Sequence, residues 1–94
     1  MHYGFIGLGN LGSKLATRLA ENDFSVTGFD LDTRFTDSLE RAGVTFAASP
    51  QELASAVDHV ITCLPSPVAS AAVLDQILGA MRSDASVIEM STIG

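Results

Sequence analysis

The chain has a single cysteine, Cys63. No disulfide can form within it, and no multi-cysteine metal site is possible, so no metal centre is expected. A reducing, cytoplasmic setting fits that count. Cations are scarce as well: five Lys and Arg stand against eleven Asp and Glu, for a net charge of −6. That balance lacks the basic face of a nucleic-acid binder, so no nucleic-acid partner is expected. Long hydrophobic runs are missing too. None approaches the ~18 apolar residues of a membrane span. The opening "MHYGFIGLG" has no basic region before its short apolar stretch, which excludes a secretory signal there. No membrane partner is expected.

The sequence does hold enough apolar residues for a core. Of its 94 residues 47% are hydrophobic and 17% charged, too apolar a mixture for disorder. A domain of this length buries roughly 60% of its unfolded surface and can fold alone with little stability to spare. The charges are scattered and read as solvated helix faces. His2 and His59 lie far apart, each before an apolar run, and read as strand-entry residues.

Apolar periodicity switches back and forth along the chain. Tyr3 to Ile6 reads as a buried strand. From Asn10 the pattern turns helical, with Leu11, Leu15 and Leu19 spaced by four, Lys14, Arg18 and Glu21 on the other side, and an end near Asn22. Phe24 to Asp30 is a second strand. A second helix follows, with Asp32 or Thr33 as N-cap and Gly43 just past its end. "VTFA" is a third strand. "SPQE", Ser49 to Glu52, is a capping box with proline at the first helical position, opening a short helix to about Val57. His59 to Pro65 is a fourth, central strand. Val68 to Met81 is a helix in which Val73, Ile77 and Met81 repeat by four, and Ser86 to Thr92 is a fifth strand. Strands alternating with helices predict an α/β doubly wound parallel sheet, the Rossmann arrangement, with strand order 3-2-1-4-5.

Where the first strand meets the first helix stands "GFIGLGNLG". Gly7 permits the tight turn, Gly9 lets a pyrophosphate approach the backbone, and Gly12 lets the helix pack closely on the sheet. The helix N-terminus offers N–H groups and partial positive charge to phosphates. Asp30 ends the next strand, eighteen residues after Gly12, where a carboxylate can accept hydrogen bonds from ribose hydroxyls. Its charge favours NAD over NADP, whose 2′-phosphate it would repel. Arg34 is read as a solvated residue of a first helical turn, and Lys14 likewise as solvated. No Gly-Lys-Ser/Thr follows the glycines, so they are not a triphosphate loop. Ligands of such sheets lie beyond the carboxyl ends of the strands, where "LPSP", Leu64 to Pro67, and "STIG", Ser91 to Gly94, leave strands four and five. Read alone, Leu64-Pro65 is as much a strand terminus as a cofactor wall, and Ser91-Thr92 as much a capped turn as a ligand loop.

Taken in order, the glycine motif, the acid ending strand two, Leu64-Pro65 and Ser91-Thr92 resemble the N-terminal part of the β-hydroxyacid dehydrogenase family, which includes 3-hydroxyisobutyrate dehydrogenase and tartronate semialdehyde reductase. The resemblance covers essentially the whole chain. It implies that Gly7, Leu8, Gly9, Asn10, Leu11 and Gly12 hold the pyrophosphate and Asp30 the adenosine ribose. Leu64, Pro65 and Thr92 would lie against the cofactor, with Ser91 and Thr92 near a substrate carboxylate. NADP-using relatives tend to carry Asn-Arg-Thr/Ser at the end of strand two, where this chain has Asp30-Leu31-Asp32. Glu89 stands where many relatives have aspartate, and Ala69 where some have a cofactor-facing asparagine.

The family's catalytic lysine lies downstream in a Gly-rich motif, and nothing here matches it. The resemblance therefore implies the NAD-binding portion of an oxidoreductase acting on a small 3-hydroxy acid, inactive alone and homo-oligomeric in full-length form. The later strands and a helical second domain are absent from this stretch, and its fifth strand is expected to leave an edge open to pairing. An NADP-linked semialdehyde or imine reductase, or a non-catalytic nucleotide-binding or interaction module, are the alternatives.

Overall fold

A computed structural model describes residues 1–30, 34, 36–64 and 67–90. Its elements are β1 (His2–Ile6), α1 (Gly9–Glu21), β2 (Ser25–Phe29), α2 (Thr36–Ala42), β3 (Thr45–Phe46), α3 (Pro50–Ala56), β4 (His59–Thr62), α4 (Pro67–Ile77) and β5 (Ser86–Glu89). All strand pairs are parallel, and the order is β3-β2-β1-β4-β5, as the alternation predicts. β1 is the middle strand and β4 is interior beside it.

Alternation along the strands sends successive side chains to opposite faces. Phe5 and Ile61 join Ala16 of α1 and Leu39 of α2 in one buried cluster. Ile6 and Val60 join Leu53 and Ala54 of α3 and Ile77 of α4 in the other. The sheet is thus covered on both faces, as parallel sheets require.

Helix boundaries follow the capping chemistry in part. Ser49 caps α3, its hydroxyl accepting from Glu52 N at 3.1 Å, with Pro50 at the first helical position. Gly43 takes φ +107° beyond α2, and Val44 N donates to Leu39 O at 3.0 Å, as a glycine-ended helix should. β4 stops at Thr62 and β5 at Glu89, so both strands are shorter than expected, with Cys63, Leu64 and Met90 already past their ends; two helix boundaries and one burial also differ. α2 opens at Thr36, later than either proposed cap; Asp32 and Thr33 lie outside the described residues. α4 stops at Ile77, four residues early, where Ala80 N and Met81 N both turn back to Ile77 O and Gly79 follows. Leu11 begins the apolar stripe of α1 yet is 46% exposed: it lies in the first turn, at the sheet's carboxyl edge.

Candidate cofactor site

The carboxyl ends of β1, β2 and β4 converge on the glycine turn. Gly7 N donates to Phe29 O at 2.9 Å, and Cys63 N donates to Ile6 O at 3.0 Å. The end of the central strand is therefore pinned on both sides. The chain then reverses through Gly7 at φ +75°, a left-handed conformation that disfavours any side chain. A Cβ there would also lie 2.9 Å from the Cys63 carbonyl oxygen and 2.5 Å from Leu64 Cδ2. Gly12 is constrained differently: a Cβ would lie 3.1 Å from Cys63 Sγ and 3.3 Å from Gly7 O. The two outer glycines of the motif thus let α1 and its entry turn close onto the end of β4.

α1 starts without a side-chain cap. Its N-cap is Leu8, which has no polar atom, and its first turn holds no acid. α3, by contrast, carries both a serine cap and Glu52. The uncapped N–H groups of a helix start attract an anion, with the macrodipole adding to the attraction. A glycine turn closing on β4 in front of an uncapped helix start fits a pyrophosphate.

Asp30 stands one residue past β2 and reaches across to the turn, where Leu8 N donates to its Oδ2 at 2.8 Å. This bond was not foreseen from the sequence, which assigns Asp30 to the ribose alone. The signal was available in the register: Ile6 pairs with Phe29, so the residues just beyond them on the two strands are neighbours. The carboxylate therefore fixes the loop that it is expected to serve.

Cys63 is the other group that sequence reasoning left unused. Its half-buried thiol packs against Gly12, and burial pushes its pKa up, away from thiolate reactivity. Leu64 lies over Gly7, just past the carboxyl end of β4. Gly9 and Asn10 open α1, and Leu11 presents an exposed apolar side chain there. Ala69 lies in α4. Pro65, Ser91 and Thr92 lie outside the described residues. Lys14 is exposed, as expected. Among the described residues no group of three His, Cys, Asp or Glu is placed to hold a metal, and no helix is long and apolar enough to cross a membrane.

A doubly wound parallel sheet whose first strand turns through glycine onto an uncapped helix, with an acid ending the second strand, defines a dinucleotide-binding domain. The chain belongs to the family described as the NAD binding domain of 6-phosphogluconate dehydrogenase, which matches residues 2–94. Among curated proteins it is 33% identical over 93 residues to mitochondrial 3-hydroxyisobutyrate dehydrogenase of Mus musculus, covering 96% of this chain and 28% of that protein. It is 35% identical over 92 residues to 3-sulfolactaldehyde reductase of Escherichia coli, covering 95% and 31%. Among solved structures, Mycobacterium tuberculosis 3-hydroxyisobutyrate dehydrogenase with L-serine superposes at a TM-score of 0.91 with 30% identity, over 97% of this chain and 31% of that one. A Streptomyces aurantiacus imine reductase superposes at 0.85 with 26% identity, over 97% and 32%. The chain thus spans under a third of the length of these relatives.

Proposed function

We propose that this chain is the NAD-holding part of an oxidoreductase that moves a hydride between the cofactor and a small 3-hydroxy acid or its semialdehyde. The observation that carries the reading is Asp30, tied to the glycine turn through Leu8 N beside an uncapped helix start. The names of the relatives support a small anionic substrate, as 3-hydroxyisobutyrate carries a carboxylate and 3-sulfolactaldehyde a sulfonate, each with an alcohol or aldehyde oxygen on a terminal carbon.

A bound nicotinamide would supply the carbon that accepts a hydride from the hydroxy acid or gives one to the semialdehyde. The chain's own residues bind and orient. The N–H groups opening α1 hold the pyrophosphate, and Asp30 accepts from ribose hydroxyls while opposing a 2′-phosphate. Leu64 and Pro65 form an apolar wall. Ser91 and Thr92 present hydroxyls to the substrate carboxylate, fixing its approach. The proton on the reacting oxygen is handled by a lysine elsewhere in the full-length enzyme, whose helical second domain completes the pocket and the homo-oligomer contact. The single cysteine suits a reducing compartment, for which we favour the cytoplasm, although several relatives carry "mitochondrial" in their names.

Titration of the chain with NADH and, separately, NADPH, followed by nicotinamide fluorescence, tests this reading. Saturable NADH binding several-fold tighter than NADPH, and weakened at least about ten-fold in Asp30→Ala, is expected. Tighter NADPH binding would favour the reductase alternative, in keeping with the imine reductases of the same fold. No binding of either cofactor by a folded chain would favour a non-catalytic interaction module.

A further inference from the structure

α1 and α2 cover the same face of the sheet, and a solvent-open groove of about 330 Å³ lies between them. That volume falls at the small end of small-molecule sites, roughly 300–1,000 Å³. Helical spacing builds its α1 side. Ser13, Thr17 and Glu21 follow one another at steps of four, and Lys14 and Arg18 form a second row beside them, also four apart. From α2, the buried Leu39 and the exposed Ser38 close the other side.

Charge in this groove runs against that of the molecule. The chain carries five Lys and Arg against eleven Asp and Glu, yet two of the five cations line this one concavity. Arg82, by comparison, is tied to Asp58 and Asp84. Neither Lys14 nor Arg18 makes an ion pair among the described residues, although Glu21 stands three residues past Arg18, at a spacing that permits one. Like charges four apart on a helix repel and destabilise it. An oxyanion seated between the two would turn that repulsion into attraction. The hydroxyls of Thr17 and Ser38, which line the groove from α1 and α2, are further donors for it.

We propose that the groove between α1 and α2 is a second anion site, separate from the glycine turn, which takes a small metabolite through its phosphate or carboxylate group. Lys14 and Arg18 bind the oxyanion, Thr17 and Ser38 donate to it, and Leu39 gives the body of the ligand an apolar floor. The inference does not rest on the dinucleotide reading, since no residue lining the groove belongs to the turn from Gly7 to Gly12.

Amide NMR tests it, with the chain titrated by inorganic phosphate and separately by citrate in about 150 mM salt, where exposed charges are largely screened. Saturable shifts at Lys14, Arg18 and Ser38 are expected, with an affinity at least about ten-fold weaker in the double variant Lys14→Gln, Arg18→Gln. Both replaced side chains are exposed, so the variant should keep the circular dichroism of wild type and its NADH affinity. Tighter binding of phosphate assigns a phosphoryl ligand, and tighter binding of citrate a carboxylate. Shifts confined to Gly7 and Leu8 would put the anion in the glycine turn alone and overturn the proposal. Shifts that climb without a plateau, or that are equal in wild type and the double variant, mean an adventitious ion only and overturn it as well. A parallel loss of NADH affinity in the variant would make the groove part of the cofactor site and overturn its separateness. Saturable phosphate binding in the groove by a chain that binds no NADH would leave this site standing and remove the cradle.

Discussion

Asp30 holds the glycine turn through Leu8 N and, in the function proposed above, the adenosine ribose as well, and substitutions can separate the two tasks. Asparagine keeps an oxygen that can accept from Leu8 N but loses the negative charge. Asp30→Asn is therefore expected to keep the fold of the turn, with a thermal midpoint close to wild type. Its preference for NADH over NADPH should narrow, because the repulsion of a 2′-phosphate is gone; parallel titrations of the two cofactors read this out. The glycines separate in a similar way. Gly7→Ala meets both a positive φ and a backbone carbonyl, neither of which a neighbouring side chain can relieve, and should cost about 2 kcal/mol or more by urea unfolding. Gly12→Ala meets chiefly the side chain of Cys63, so it should cost less. Part of that loss should be recovered in the double variant with Cys63→Ala, giving a coupling of about 0.5 kcal/mol or more that Gly7→Ala does not show.

The elements were legible where a local signal and the tertiary demand agree. Ser49, Pro50 and Glu52 specify the start of α3 by themselves, and the structure starts it there. Ser49→Ala should cost about 1 kcal/mol in a denaturant titration, with no change in NADH affinity. α4 shows the opposite case. Val73, Ile77 and Met81 repeat by four, yet the helix ends at Ile77. The repeat marks residues that pack on the cluster beneath α3 and α4, and a turn after Ile77 brings Met81 there as well as another helical turn would. Leu11 misled in the same manner: its spacing from Leu15 is right for a buried stripe, but no covered sheet lies under the first turn of α1. At the site, the glycine roles followed from sequence because they rest on local geometry. The Asp30–Leu8 bond did not, because it depends on which strands are neighbours at their ends.

For the molecule as a whole, acid stability is tied to the edge of the sheet where β1 and β4 begin. Asp58 precedes β4, and its carboxylate accepts from His2 N at 2.8 Å and pairs with Arg82. The backbone bond from His2 first, and Arg82 second, hold its pKa below the ordinary 3.8. A carboxylate with a lowered folded pKa stabilises in full above its unfolded value and loses that contribution as pH falls through the folded one. Stability should therefore hold from neutrality to about pH 5 as far as this group is concerned, then decline below pH 4. Urea midpoints measured across that range should fall less steeply in Asp58→Asn than in wild type; equal slopes would show that the pair contributes nothing.

The strand order also has a consequence in time. β1 lies in the middle of the sheet, between β2 and β4. Its bonds to β2 close soon after β2 is made, but those to β4 join residues 56 apart, Tyr3 to His59. On a ribosome adding ~5–20 residues per second, the second edge of β1 waits roughly 3–11 s for its partner. Throughout that interval the nascent chain presents Tyr3 to Ile6 as an apolar strand with one edge unpaired. That edge offers a chaperone an apolar site, and offers two growing chains on one messenger a route to pair by mistake.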